Sequence, residues 1–190
     1  MSMKKFIDIK VGLLYNYIMN TNLKSLFSQK VADFRLPRYE DLPNVGLYLE
    51  QTTEYINGYL STIGCPLLTA SMISNYVKSG IIAPPQKKKY YKDQIGYLIF
   101  IAFAKNVISM DNISRLIKFQ QEEYDSATAY EYFCDELLNM LSYVCGLKDS
   151  VDNIGTTNTQ VKTMFRSVII ASSHIIFLAN CFDKKQTEGV

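Results

Sequence analysis

Through most of this chain apolar residues recur three and four apart, the spacing of helices that bury one face. Val11, Leu14, Tyr15, Ile18, Leu23, Leu26 and Phe27 predict a helix over 11–29, with Asn20–Asn22 as its weak point. Pro37, Pro43 and Gly46 break the pattern and mark 33–46 as a connector arm, because proline removes a backbone donor and restricts its predecessor. A second helix is expected from Asn44 or Val45 to about Ser61, with Leu47, Leu49, Tyr55, Ile56, Tyr59 and Leu60 on its apolar face. Gly64 and Pro66 end it. Thr69 then caps a short helix with Met72, Ile73, Tyr76 and Val77 inward, and Gly80 closes it. Ile81-Ile82, Pro84-Pro85 and the run Lys87-Lys88-Lys89-Tyr90-Tyr91 follow, room for a minimal β-wing at 83–91.

The helical spacing resumes at Lys92 and runs to about Asn106, with Ile95, Leu98, Ile99, Ala102 and Phe103 as a stripe. Ser109 caps the next helix, which carries Met110, Ile113, Leu116 and Ile117. Asp125-Ser126 breaks it. Tyr130, Cys134, Leu137, Leu141 and Val144 form a heptad-like seam over 127–145, too short to define a coiled coil. After a polar loop at 148–158, Thr159 caps a helix to about Asp183 that is apolar nearly all round. It must be sheltered at the centre of a bundle or against a second subunit. The tail from Lys184 is polar and expected to fray.

The composition, 48% hydrophobic over 190 residues, supports a real core and not a disordered chain. The net charge of +2 does not announce a nucleic-acid partner, so any such case rests on a local patch. Cys65, Cys134, Cys145 and Cys181 form no C-x-x-C pair and His174 is the single histidine, so no metal site is expected. The cysteines read as buried thiols of a reducing compartment. His174, amid isoleucine and phenylalanine, reads as a core histidine. The acidic residues between Glu122 and Glu136 read as a solvated face. No nucleophile pattern or glycine-rich phosphate loop is present, so the expectation is a protein that is not an enzyme and needs no cofactor. The N-terminal 19 residues superficially resemble a signal peptide, but Asp8 and Lys10 interrupt the apolar run. Val168–Phe182 is short for a bilayer span and carries Ser172, Ser173, His174 and Asn180. A cytoplasmic protein without a membrane segment is expected.

The stretch Thr69–Phe119 resembles the MerR family of bacterial transcription regulators. The resemblance lies in a short helix Met72–Lys78 followed by Ser79-Gly80-Ile81-Ile82, a proline at 84 or 85, a basic wing residue at Lys88, and Tyr90. A Leu98-Ile99-Phe100-Ile101 element and the helix start Ile108-Ser109-Met110-Asp111-Asn112-Ile113 complete it. It covers about a quarter of the chain. The whole chain also resembles an uncharacterised bacterial family that combines the start Leu36-Pro37-Arg38-Tyr39-Glu40-Asp41-Leu42-Pro43 with the element Met72-Ile73-Ser74-Asn75-Tyr76-Val77-Lys78. Where MerR proteins carry an arginine and a tyrosine that grip the DNA backbone, this chain has Ser74 and Asn75. Its wing is short, and two more globular helices replace the long dimerising one.

The implied fold is all-α: an N-terminal helix and arm (1–43), a MerR-like winged helix-turn-helix (44–119), a C-terminal helical bundle (120–183) and a tail (184–190). The implied function is a DNA-binding transcriptional regulator on an inverted repeat, a homodimer whose C-terminal bundle dimerises or answers a small-molecule effector. Ser71, Ser74, Asn75 and Lys78 would face the major groove, with Asn75 suited to an adenine edge. Lys87, Lys88, Lys89 and Lys92 would lie on phosphates, with Tyr90 or Tyr91 bracing the wing or donating to one; no acid intervenes between Lys78 and Asp93. The alternative is a protein-interaction module that keeps the scaffold without DNA binding. The same lysines could form no more than a solvated loop.

Overall fold

The computed structural model describes residues 21–187, and the side chains of 27–182. Among the described residues the fold is all-α, with one two-stranded ribbon. In chain order it runs α1 (Thr21–Asp33), a 3-10 turn (Tyr39–Asp41), β1 (Leu47–Tyr48), α2 (Leu49–Thr62), α3 (Ala70–Lys78), β2 (Lys89–Tyr90), α4 (Lys92–Ala104), α5 (Met110–Glu123), α6 (Ser126–Val144) and α7 (Gln160–Thr187). The first part of the helix expected over 11–29, and the signal-like start of the chain, lie outside the described residues. The last helix runs four residues past its expected end at Asp183.

Short polar side chains start these helices where the sequence placed them. Thr69 accepts from the Met72 amide at 3.1 Å, Ser109 from the Asn112 amide at 3.3 Å and Thr159 from the Lys162 amide at 3.2 Å, each filling an orphan donor of the first turn. At the other end of α3, Gly80 takes φ +70°. Its amide donates to the Val77 carbonyl at 3.0 Å and that of Ile81 to the Tyr76 carbonyl at 2.9 Å, a paired closure that only a left-handed residue allows.

The start of α2 also differs from expectation. Residues 47–48 do not begin a helix; they pair antiparallel with Lys89–Tyr90, Leu47 opposite Tyr90 and Tyr48 opposite Lys89. The helix starts only at Leu49. Gly46 permits this approach, since a Cβ there would stand 2.7 Å from Lys89 Cβ and 2.7 Å from Tyr91 Cζ.

The core is continuous across the molecule, from Phe27 and Val31 on α1 to Ile176 and Phe177 on α7. Its aromatic centre is Phe100, which stacks on Phe165 at 4.7 Å and meets Phe133 edge-on at 5.6 Å. The seam residues of α6, Tyr130, Cys134, Leu137, Leu141 and Val144, are all buried within this single chain. Cys65, Cys134 and Cys145 are buried and Cys181 half-buried; burial pushes the Cys65 and Cys134 thiols up to about 12.

α7 is long and apolar enough to cross a membrane by length and composition. Its inner face packs on the core: Ser172 donates to the Phe103 carbonyl at 3.0 Å and Asn180 to that of Ile63 at 2.8 Å. Ile170, Leu178 and Phe182 stay exposed, and so does His174, which the sequence placed in the core. The acidic stretch is not a solvated face throughout. Glu136 is wholly buried against Arg166 at 2.9 Å, while Glu131 and Asp135 hold Arg38 of the arm at 2.8 and 2.7 Å.

Candidate nucleic-acid interface

α2 and α3 are consecutive helices joined by a seven-residue connection, 63–69, longer than the three or four residues of a compact helix-turn-helix. Asn57 braces it. The Asn57 side chain donates to the Leu68 carbonyl at 2.8 Å and accepts from the Leu68 amide at 2.9 Å, satisfying both groups of an irregular segment. α3 buries Ile73 and Tyr76 and leaves Ser71, Asn75 and Lys78 as its polar positions, with Ser74 half-buried between them. Positions 71, 75 and 78 lie four and three apart, hence on one face. Met72, expected to face inward, stands at the surface at 38% exposure.

The connection from α3 to the wing is pinned by Gln94 of α4, whose amide donates to the carbonyls of Ala83 at 2.8 Å and Pro84 at 3.1 Å. The wing itself is a two-residue hairpin. Gln86 and Lys89 exchange both backbone hydrogen bonds, at 3.0 and 2.9 Å, and the two residues between them, Lys87 and Lys88, take φ +48° and +66°. Two consecutive left-handed residues define the turn that fits strand twist, and it favours Asn-Gly. Lysine there costs roughly 1–2 kcal/mol per residue. The result is two exposed ammonium groups at the extreme tip of a protrusion.

The remaining wing residues are differently placed. Lys89 is half-buried, its Nζ 5.2 Å above the Tyr48 ring. Tyr90 is buried at 4% exposure, and its hydroxyl is held above its ordinary range by burial and by Glu50. It braces the wing and offers nothing to a phosphate. Lys92 donates to the Glu40 carboxylate and to the Glu40 carbonyl, both at 3.0 Å, and lies over the Tyr39 ring. Its charge belongs to the arm. Tyr90 and Lys92 therefore leave the set of surface groups, and Ser71, Asn75, Lys78, Lys87 and Lys88 make no side-chain bond among the described residues.

Residues 37–133 match a domain of unknown function, DUF1836. The chain belongs to that family. Comparison with curated proteins and with solved structures gives no match. The DUF1836 region takes in most of the arm, the β1–β2 ribbon, α2 to α5 and the first part of α6. The arm is held to this region by polar contacts as well as by packing. Tyr39 donates its hydroxyl to Asp93 at 2.5 Å and its amide to Glu131 at 2.7 Å, and burial raises the hydroxyl well above its usual range.

One cation escapes sequence reasoning. Lys105, at the end of α4, donates to the Leu67 carbonyl at 2.9 Å, and its Nζ lies 4.0 Å from Met72 Sδ, at the start of α3. Burial lowers its basicity without a carboxylate to offset it. Nothing in the local sequence Ala104-Lys105-Asn106 signals this position. Only the approach of the end of α4 to the connection between α2 and α3 does.

Proposed function

We propose that this DUF1836 protein is a DNA-binding regulator with a MerR-like winged helix-turn-helix, α3 entering the major groove and the lysine hairpin lying on flanking phosphates. The observation that carries this reading is the Lys87-Lys88 tip. A turn chosen for stability would carry Asn-Gly; this one holds two lysines in unfavourable backbone geometry on the surface, and such strain clusters at functional positions. Three features support it. The order helix, helix, hairpin, helix, helix is the order the resemblance implies. The polar face of α3 is unoccupied. No acidic residue occurs between Glu54 and Asp93. In this reading the protein is cytoplasmic, binds an inverted repeat as a homodimer, and acts without catalysis.

The second reading, a partner-binding module on the same scaffold, is favoured by Ser74 and Asn75 at the grip positions and by the exposed Met72 beside them. Selection of genomic fragments by the purified protein separates the two. With Lys87, Lys88 and Lys89 changed to alanine, enrichment of an inverted-repeat sequence should fall. The slope of log affinity against log salt should shrink by roughly 2–3, since each phosphate that is no longer neutralised removes about 0.9. A folded protein that enriches no sequence at low salt would sink the DNA reading and leave the partner module.

A further inference from the structure

A cavity of about 280 Å³ opens where the end of α5, the start of α6 and the start of α7 meet. Ala129, Val161 and Phe165 supply much of its apolar wall. The exposed loop Gly155–Thr157 covers it, and that loop is tied down at both ends. On one side Lys162 donates to the carbonyls of Gly155 at 2.9 Å and Thr157 at 2.8 Å. On the other, Asn139 and Asp152 exchange two hydrogen bonds, at 2.9 and 3.1 Å. The cover is thus built in place over an open space.

The chemistry of the wall selects a charge. Lys162 is the single charged residue lining the cavity, and no carboxylate lines it. Its two carbonyl bonds leave a third ammonium proton, and the group stands 5.5 Å over the Tyr132 ring. The first turn of α7, a 28-residue helix, begins at the same wall and adds a partial positive charge. The size selects the body. An engineered apolar cavity of roughly 150 Å³ admits benzene, so this one holds a ring together with a small polar head.

From these observations we propose that this protein binds a small organic carboxylate here, its apolar body of about one ring against Phe165 and Val161 and its carboxylate at Lys162. The site does not depend on the DNA reading, and the two can fail separately.

The test uses the full chain with benzoate and phenylacetate as probes, and benzamide and benzyl alcohol as their neutral counterparts. Calorimetric titration and thermal unfolding should show saturable binding of a carboxylate at millimolar concentration, with the neutral probes at least tenfold weaker. Lys162→Met should cost tenfold or more in affinity. Because Lys162 also holds the loop, Ala129→Leu provides a second variant, which fills the cavity from α6 and should abolish binding with no loss of melting temperature. Methyl resonances of Ala129 and Val161 in the wild type should shift on titration. Absence of saturable binding by either carboxylate, equal binding of the neutral probes, or shifts confined to other methyl groups would each overturn the proposal.

Discussion

Lys87 and Lys88 show what a single residue can say when its backbone is known. By composition they belong to a lysine run, and a lysine run is ordinarily a solvated loop. Their left-handed angles change the argument, because a neutral-to-good turn residue was available and is not used. Lys87→Asn combined with Lys88→Gly should therefore stabilise the fold by about 1–2 kcal/mol, read as a higher urea midpoint with unchanged slope, and weaken DNA binding in the same protein. A lower midpoint would show that the tip is not strained. Lys92 makes the opposite point. It stands in the same run in sequence, yet its partner Glu40 lies 52 residues upstream, on an arm whose docking the local pattern does not encode. Tyr90 is similar: alternation along a two-residue strand decides which neighbouring tyrosine is buried, and Tyr90-Tyr91 alone gives no phase. The polar positions of α3 were legible because several apolar residues at helical spacing fix the phase of a helix far better than one fixes that of a strand.

At the scale of elements, the signals read correctly are those whose physics is local. Thr69, Ser109 and Thr159 each satisfy an amide within the first turn that follows, and Gly80 closes α3 with bonds that stay inside its last turn. The start of α2 was misplaced because its cause is distant: residues 47–48 gain their hydrogen bonds from Lys89 and Tyr90, far along the chain, and nothing local marks where the ribbon ends and the helix begins. Gly46 is where that pairing is most exposed to mutation. In Gly46→Ala the new methyl would need to displace Lys89 Cβ and the Tyr91 ring, each under 3 Å away. The expected loss is about 1–3 kcal/mol, the usual scale of overpacking. Hydrogen exchange should quicken at the amides of the β1–β2 pair before it does in α4 or α6. Uniform loss of protection, with no early change in the ribbon, would show that Gly46 serves some purpose other than the wing.

At the scale of the molecule, the sequence specified faces but not partners. It marked α7 as needing shelter nearly all round, and left open whether a bundle or a second chain provides it. The structure gives the inner half to α6, α5, α4 and α1 and leaves Ile170, Leu178 and Phe182 outside. The tie between α6 and α7 that the pattern could not reveal is ionic. Glu136, in an acidic stretch, is fully buried and receives one bond from Arg166 at 2.9 Å; its second oxygen has no partner among the described residues and Arg166 stays a third exposed. A buried carboxylate held by one bond stabilises little, because desolvation offsets the attraction, but it becomes costly once its partner is gone. Arg166→Met should accordingly destabilise the protein by about 3 kcal/mol, at the lower end of the range for a broken buried pair because water reaches the guanidinium. Adding Glu136→Leu to that variant removes the stranded charge and should restore most of the stability. Urea denaturation of the two single variants and the double completes the cycle. A double variant no more stable than Arg166→Met would mean that the carboxylate is supported by groups other than Arg166, and that α6 and α7 are joined by packing alone.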